Sequence, residues 1–502
     1  MHALLNDAPD IRIVQHTGPV TAKMLEPVDQ LLLILPARMP ANAWRAIPQG
    51  LHLKSAMQKR PRGPAPQLLT RMANKRQTLV IGGTLPENAT AFDELELGRK
   101  LCAAAAAENA GQLAILVAGM DEESRVRVMR SVLAAALAAG FAMPVYGSKP
   151  RTPTFRTVRI LGLASRLDTT RIEAEARGND LARWLTVMPP NKLDAANYAE
   201  IVRALARGEG WNYKRYSSRE LRKLGAGAFL AVAQGNADDS ACILRLRHRP
   251  AATDATADLS LVGKGIIFDT GGNNLKPFLS MLDMHGDMQG SAVALGTLLA
   301  ITRMRLPIAV DCWLAVSENR IGPEAYKPRD VVTAANGKTI QAIHTDAEGR
   351  MVLADTLVLA SRERPRLVVD YATLTGACIN AITRRYSGIF TNRPEWHPRL
   401  KRTGQVCGER VWPFPMGAEF REELKGDVAD LRQCNVQATA DHIYAATFLN
   451  EFVEENVPWI HIDLSAGDNE SGLGHVPTKA TGFGVRYTMS LILDEQLLEP
   501  AP

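Results

Sequence analysis

The stretch HTDAEGR, His344 to Arg350, sets two carboxylates, Asp346 and Glu348, two positions apart and follows them with Gly349 and Arg350. On a helix, residues i and i+2 point to different sides, whereas in an extended or looped segment they share one side and can converge on a single cation. Taken alone, the motif reads as the acidic start of a helix, with Asp and Glu well placed against the helix dipole. It needs partners before it means chemistry. The segment Gly263 to Ala292, GKGIIFDTGGNNLKPFLSMLDMHGDMQGSA, offers them: Lys264, Asp269, Lys276, Asp283 and Asp287 stand among glycines that let a backbone close around something small. Its GKG lacks the GxxxxGK[ST] spacing that wraps phosphates. Charge this dense among Gly, Ile and Phe fits a plain surface loop poorly.

Both motifs must be held by elements, and the apolar pattern supplies them. KTIQAI (Lys338 to Ile343) reads as a short strand and MVLADTLVLA (Met351 to Ala360) as a buried helix, which places HTDAEGR in the turn between them. LSLVG (259–263), PIAVDCWLAV (307–316), RLVVD (366–370) and WIHID (459–463) read as buried strands separated by helices such as GSAVALGTLLAITRM (290–304). In open α/β sheets, ligands bind beyond the carboxyl ends of the strands, where Asp269 and its neighbours would lie. The first third alternates likewise: LLLILP (31–36), TLVIGG (78–83) and LAILVAG (113–119) are strand-like, and Asp121 and Gly140 cap and stop a helix between them and KPRTPTFRTVR (149–159).

These patterns predict an α/β protein in two units. Residues 1–160 form a smaller N-terminal α/β domain, 161–193 a polar linker helix broken by Pro189 and Pro190, and 194–502 a larger α/β domain with a mixed central sheet flanked by helices. A chain of 502 residues is long for one core, which supports the division. The 46% hydrophobic and 22% charged content is that of an ordinary globular protein. Six cysteines without a CxxC pair suggest neither a zinc knuckle nor a disulfide framework, and so a reducing, cytoplasmic setting. The start MHALLNDAPD lacks a secretory pattern, and the longest apolar run, 132–145, is too short to span a bilayer.

GKGIIFDTGGNNLKP together with HTDAEGR resembles the two-metal leucine aminopeptidase family. AVSENRIGPEAYKPRDVVTAANGKTI (315–340), VVDYATLTGAC (368–378), LKGDVADL (424–431) and KATGFGVR (479–486) continue the likeness in order. The resemblance implies two divalent metals held by Lys264, Asp269, Asp287, Asp346 and Glu348, with Asp269 and Glu348 bridging both ions. By ligand type these are Zn or Mn, with Mg or Co also open. It implies that Lys276 stays charged and stabilises the oxyanion, and that Arg350 holds a bicarbonate that relays the proton. Met284, Thr373 and Gly376 would line the pocket for an apolar first side chain such as Leu or Met, one metal would take the free α-amine of a peptide substrate, and the subunits would form a homohexamer.

The sequence departs from that pattern in places. His344 stands for the usual asparagine and Thr270 for the usual serine, while QATADHIYAATF (Gln437 to Phe448) replaces a Gly-rich turn. His285 and His461 read as structural rather than as ligands. Two other functions compete with this reading. DNA binding, with KSAMQKRPRG (54–63) and LRLRHRP (244–250) as its footprint, stays open on a net charge of +6. A two-metal phosphoesterase is disfavoured by Lys264 and by the missing phosphate loop.

Overall fold

The computed structural model describes residues 11–59, 63, 65–108, 111–148, 154–250, 256–435, 437 and 439–498. The start MHALLNDAPD lies outside them, as do residues 60–62 of the first basic cluster and 149–153 of the expected domain edge. The N-terminal unit is built on β1 (Arg12–Thr17), β2 (Gln30–Pro36), β3 (Leu68–Arg71), β4 (Leu79–Leu85), β5 (Gln112–Val117) and β6 (Thr157–Leu163). They form one sheet in the order β1-β6-β5-β2-β4-β3, parallel except for the edge strand β3. Leu31 to Leu35 are all buried because β2 lies inside this sheet, which explains the unbroken apolar run. Asp121 does cap the helix Glu122–Gly140, accepting from the Ser124 backbone N–H at 2.9 Å.

Two features bear on the expected boundaries. Strand β6 pairs with β1 and β5 through Leu161 and beyond, so the first sheet runs past residue 160 to Leu163. The helix expected as a linker, Thr170–Thr186, is instead packed into the fold. Its Gly178 lies so close to the helix Gln289–Met304 that an added Cβ would meet the Gly296 carbonyl at 2.3 Å. The polar residues that made it look solvated are matched inside: Arg183 pairs with Asp180, Asn179 donates to the Thr481 carbonyl at 2.8 Å, and Glu175 takes Arg171 and Arg486. Buried polar groups are tolerated when each finds a partner.

The larger unit holds β7 (Asn212–Ser217), β8 (Cys242–His248), β9 (Leu259–Asp269), β10 (Val310–Asn319), β11 (Val331–Thr333), β12 (Thr339–Gln341), β13 (Leu367–Ala372), β14 (Ser387–Thr391), β15 (Val411–Pro413), β16 (Leu431–Arg432) and β17 (Trp459–Asp463). Its main sheet is mixed, in the order β15-β14-β17-β13-β9-β10-β8-β7, and a small sheet β11-β12-β16 stands beside it. Separate apolar clusters cover the two faces of the main sheet. Strands β17, β13, β9 and β10 run parallel at the centre, so their carboxyl ends open on one edge. The helix after HTDAEGR begins at Glu348 rather than Met351, which leaves Asp346 in the turn and puts Glu348 in the first helical position.

All six cysteines are buried and free. No helix among the described residues is long and apolar enough to cross a membrane. The guanidinium groups of LRLRHRP lie along β8 and are engaged within the fold: Arg245 and Arg249 with Asp311, and Arg247 with Glu363.

Candidate active site

Strand β9 supplies the first two residues of the site. Lys264 projects from its middle and Asp269 closes it, where the next strand β10 ends in register at Asn319. Asn319 donates to Asp269 Oδ1 at 2.8 Å and to the Thr345 carbonyl at 3.0 Å, so one amide ties the end of β9 to HTDAEGR. Gly271, at φ +86°, turns the chain back at once; a side chain there would meet the Asn274 carbonyl at 2.5 Å. Thr345 closes the loop from the other side. Its hydroxyl donates to the Gly271 carbonyl at 2.6 Å, and its backbone N–H donates to Asn274 Oδ1 at 2.9 Å. These bonds bring Asp269, Asp346 and Glu348 together, each with a carboxylate oxygen within 4.8 Å of the others.

Asp287 completes the set from a turn just ahead of the helix Gln289–Met304, where its Oδ1 accepts from Thr373 Oγ1 at 2.7 Å. Lys264 reaches across Gly349, at which any Cβ would fall 2.5 Å from Lys264 Cε. Its Nζ lies 2.7 Å from Asp287 and 2.9 Å from Glu348, and it donates to the Thr373 carbonyl at 3.0 Å. Lys276 Nζ sits between Asp269 at 2.8 Å and Asp346 at 2.5 Å. The five proposed metal ligands and Lys276 therefore share one pocket.

Four carboxylates face two ammonium groups there, all but Asp346 and Lys276 almost wholly buried. Burial pushes the Glu348 carboxyl up, and the neighbouring Asp269 adds to it. Asp346 is raised by burial and then by Asp269 and Glu348, and Asp287 by burial against the pull of Lys264. Burial draws the Lys264 ammonium down, but Asp287, Glu348 and Asp269 outweigh it and leave its pKa above that of an ordinary lysine. The pocket is short of positive charge, and Asp287 Oδ2 is buried without a hydrogen-bond partner. Hard oxygen donors and one lysine, with a carboxylate oxygen to spare, fit divalent cations.

The remaining expected residues fall around this pocket with different weights. Thr373 holds Asp287 by its hydroxyl and Lys264 by its carbonyl, so it supports ligands directly. Gly376 is exposed with open space where a side chain would go, and Met284 is half-buried in the turn before Asp287. Thr270 keeps a turn role, its hydroxyl donating to the Asn319 carbonyl at 2.8 Å and accepting from the Gly272 N–H. His461 is buried against Asp370 at 2.6 Å, which matches a structural reading, and His285 is outside the acidic cluster. His344 accepts the Asp346 N–H at its Nδ1, 3.3 Å away. Burial and the Lys276 charge hold its pKa below the ordinary histidine value.

Arg350 is fully buried. Its Nη1 donates to the Gln433 carbonyl at 3.2 Å, and its Nη2 donates at 2.5 Å to Asp441, a residue that sequence reasoning did not single out. The signal was present only as the departure at 437–448. Asn319 and Gln433 were also missed; the latter's side chain accepts from the backbone N–H groups of Ile343 and His344 and donates to the Ala347 carbonyl, clamping the turn.

The catalytic-domain model of the cytosol aminopeptidase family matches residues 180–489. A probable cytosol aminopeptidase of Parasynechococcus marenigrum is 36% identical over 481 residues, 93% of this chain and 97% of its own. Among solved structures, a mutant of tomato leucine aminopeptidase aligns with a TM-score of 0.84 at 25% identity, covering 97% of both chains. A bottromycin maturation enzyme in complex with Mn aligns with a TM-score of 0.80 at 29% identity, over 94% of this chain and 100% of that one. With the family model over most of the chain, a close relative over nearly all of it and the same two-unit fold, this protein is a member of the cytosol aminopeptidase family, a metal-dependent aminopeptidase.

Proposed function

We propose that the enzyme releases apolar N-terminal residues, such as Leu or Met, from peptides in the cytoplasm, using two divalent cations at the acidic pocket. The convergence of Asp269, Asp346 and Glu348 within 4.8 Å, flanked by Lys264 and Asp287, carries this reading. Those five residues would hold the ions, Zn or Mn, whose chemistry is Lewis acidity and a lowered pKa for water. Gly376 and Met284 would border the opening where a first side chain rests. Lys276, whose ammonium lies between Asp269 and Asp346, would face the carbonyl oxygen as it gains charge. The proton leaving the water needs an acceptor at Arg350: bicarbonate suits the guanidinium fork, and the Asp441 carboxylate is already on it.

Assembly as a homohexamer is part of this proposal. Phe278 and Leu279, 74% and 79% exposed just past Pro277, are apolar surface that a neighbouring subunit would cover. The functional test is a panel of aminoacyl anilides with protein loaded with Mn or Zn. Leu and Met anilides should be cleaved fastest, and cleavage of none of them would overturn the reading.

Metal uptake should also expel protons. Lys264 is held as an ammonium and has no lone pair to offer until it loses one, while the raised carboxyls of Asp287, Asp346 and Glu348 favour their protonated forms. A cation selects the deprotonated state of every ligand, so apparent affinity rises with pH. Calorimetric titration with Mn in buffers of different ionisation enthalpy should show at least about one proton released per subunit. Uptake with no proton release would remove Lys264 from the ligand set.

A further inference from the structure

The helix Asp441–Asn450 begins at its acidic residue and has no side-chain N-cap from Ala440. A carboxylate in that first turn is favoured by the helix dipole. Asp441 Oδ2 takes the Arg350 Nη2 proton in a charge-assisted bond of 2.5 Å, so the anion position on that nitrogen is filled by the chain itself. The other oxygen, Asp441 Oδ1, is buried without a hydrogen-bond partner. The side chain as a whole is a third exposed. Arg350 Nη1 donates to the carbonyl of Gln433, the residue whose side chain clamps the turn carrying Asp346, which sets this pair beside the acidic pocket. His344, the other departure beside the site, feels the charges of both Asp441 and Arg350.

We propose that Asp441 is the resident anion of Arg350 and the proton acceptor of the reaction, so that the enzyme works without dissolved bicarbonate. This rests on the aminopeptidase reading. In the step, a water O–H bond breaks, its proton passes to Asp441 Oδ1, and the water oxygen bonds to the peptide carbonyl carbon. The same proton then moves to the amide nitrogen as the C–N bond breaks, and the carboxylate is restored; nothing is oxidised or reduced. Arg350 orients the carboxylate. A purely structural ion pair would fix the turn but would leave catalysis indifferent to what sits on the guanidinium.

The test uses Mn-loaded full-length protein in CO2-stripped buffer with a Leu anilide. Added bicarbonate should leave wild-type kcat unchanged. Asp441→Gly, which empties the anion position, should lose about 10²-fold in kcat with little change in KM, and bicarbonate or formate should restore part of it saturably. Asp441→Asn keeps the shape and loses the acceptor, so it should be equally slow and should resist rescue. A second readout is independent of turnover: 13C-bicarbonate should broaden with Asp441→Gly protein and stay sharp with wild type. Activation of the wild type by bicarbonate, a wild-type rate in Asp441→Asn, or 13C-bicarbonate binding to the wild type would overturn the proposal. Absence of hydrolysis by the wild type in every buffer would instead overturn the substrate reading, and the labelled-bicarbonate experiment would still decide the role of Asp441.

Discussion

A Glu348→Gln enzyme is expected to lose about 10³-fold or more in kcat/KM, roughly 4 kcal/mol of transition-state stabilisation, and to come out of purification short of metal. The side chain is buried, lies 2.9 Å from Lys264, and belongs to the tight cluster with Asp269 and Asp346. An amide of the same shape removes one of the negative charges proposed to hold the cations and leaves the packing intact. Stability should move in opposite directions with and without metal. In the metal-free protein, burial and Asp269 disfavour the ionised Glu348, so its neutral replacement relieves repulsion and the melting temperature should hold or rise. Lys264 keeps Asp287 and the Thr373 carbonyl as partners, so it is not stranded. With Mn added, the wild type should gain stability by mass action and the variant should gain little. Metal analysis, anilide kinetics and paired melting curves check this; a variant that keeps both metal and rate removes Glu348 from the site.

The sequence carried the site further than its supports. Asp346, Glu348, Lys264, Asp269, Lys276 and Asp287 were legible because two short charged motifs hold them all, each beside a strand whose apolar run marks its end. Asn319 was not, because it is one polar residue at the end of an apolar strand, and its value comes from a register with Asp269 that only the sheet creates. Asp441 was hidden for a similar reason: it lies 91 residues from Arg350, and nothing local in ATADHIY marks an arginine partner. The central parallel strands were read from unbroken apolar runs, whereas β7, NYKRYS, escaped because an edge strand leaves most of its side chains at the surface. The helix Thr170–Thr186 shows the converse error, since its charges looked solvated and are paired inside the fold. Local pattern reports what a residue prefers, and tertiary pairing decides what it gets.

Lys276→Ala should separate metal binding from transition-state stabilisation, which Glu348→Gln does not. Lys276 is anchored through its backbone N–H to the Thr270 carbonyl at 2.9 Å, so the loop that carries it is the one that fixes Asp269. Its ammonium lies against Asp269 and Asp346, and those carboxylates, with Glu348, outweigh the effect of burial and raise its pKa above an ordinary lysine. In the metal-free protein it is charged through the neutral range on that account. Removing one preorganised cation beside a developing oxyanion costs about 10²- to 10³-fold in kcat, while Lys264 and the carboxylates proposed to hold the ions are untouched. The expected signature is a large fall in kcat, a nearly constant KM and full metal content. Metal loss in Lys276→Ala would mean that the lysine's main work is to balance the carboxylates; an unchanged kcat would mean that another group meets the oxyanion. Methylammonium should restore part of the rate to the alanine variant if a positive charge at that point is what the reaction uses, because a small amine can enter the space the side chain leaves, whereas it can do nothing for Glu348→Gln, whose missing charge is of the opposite sign.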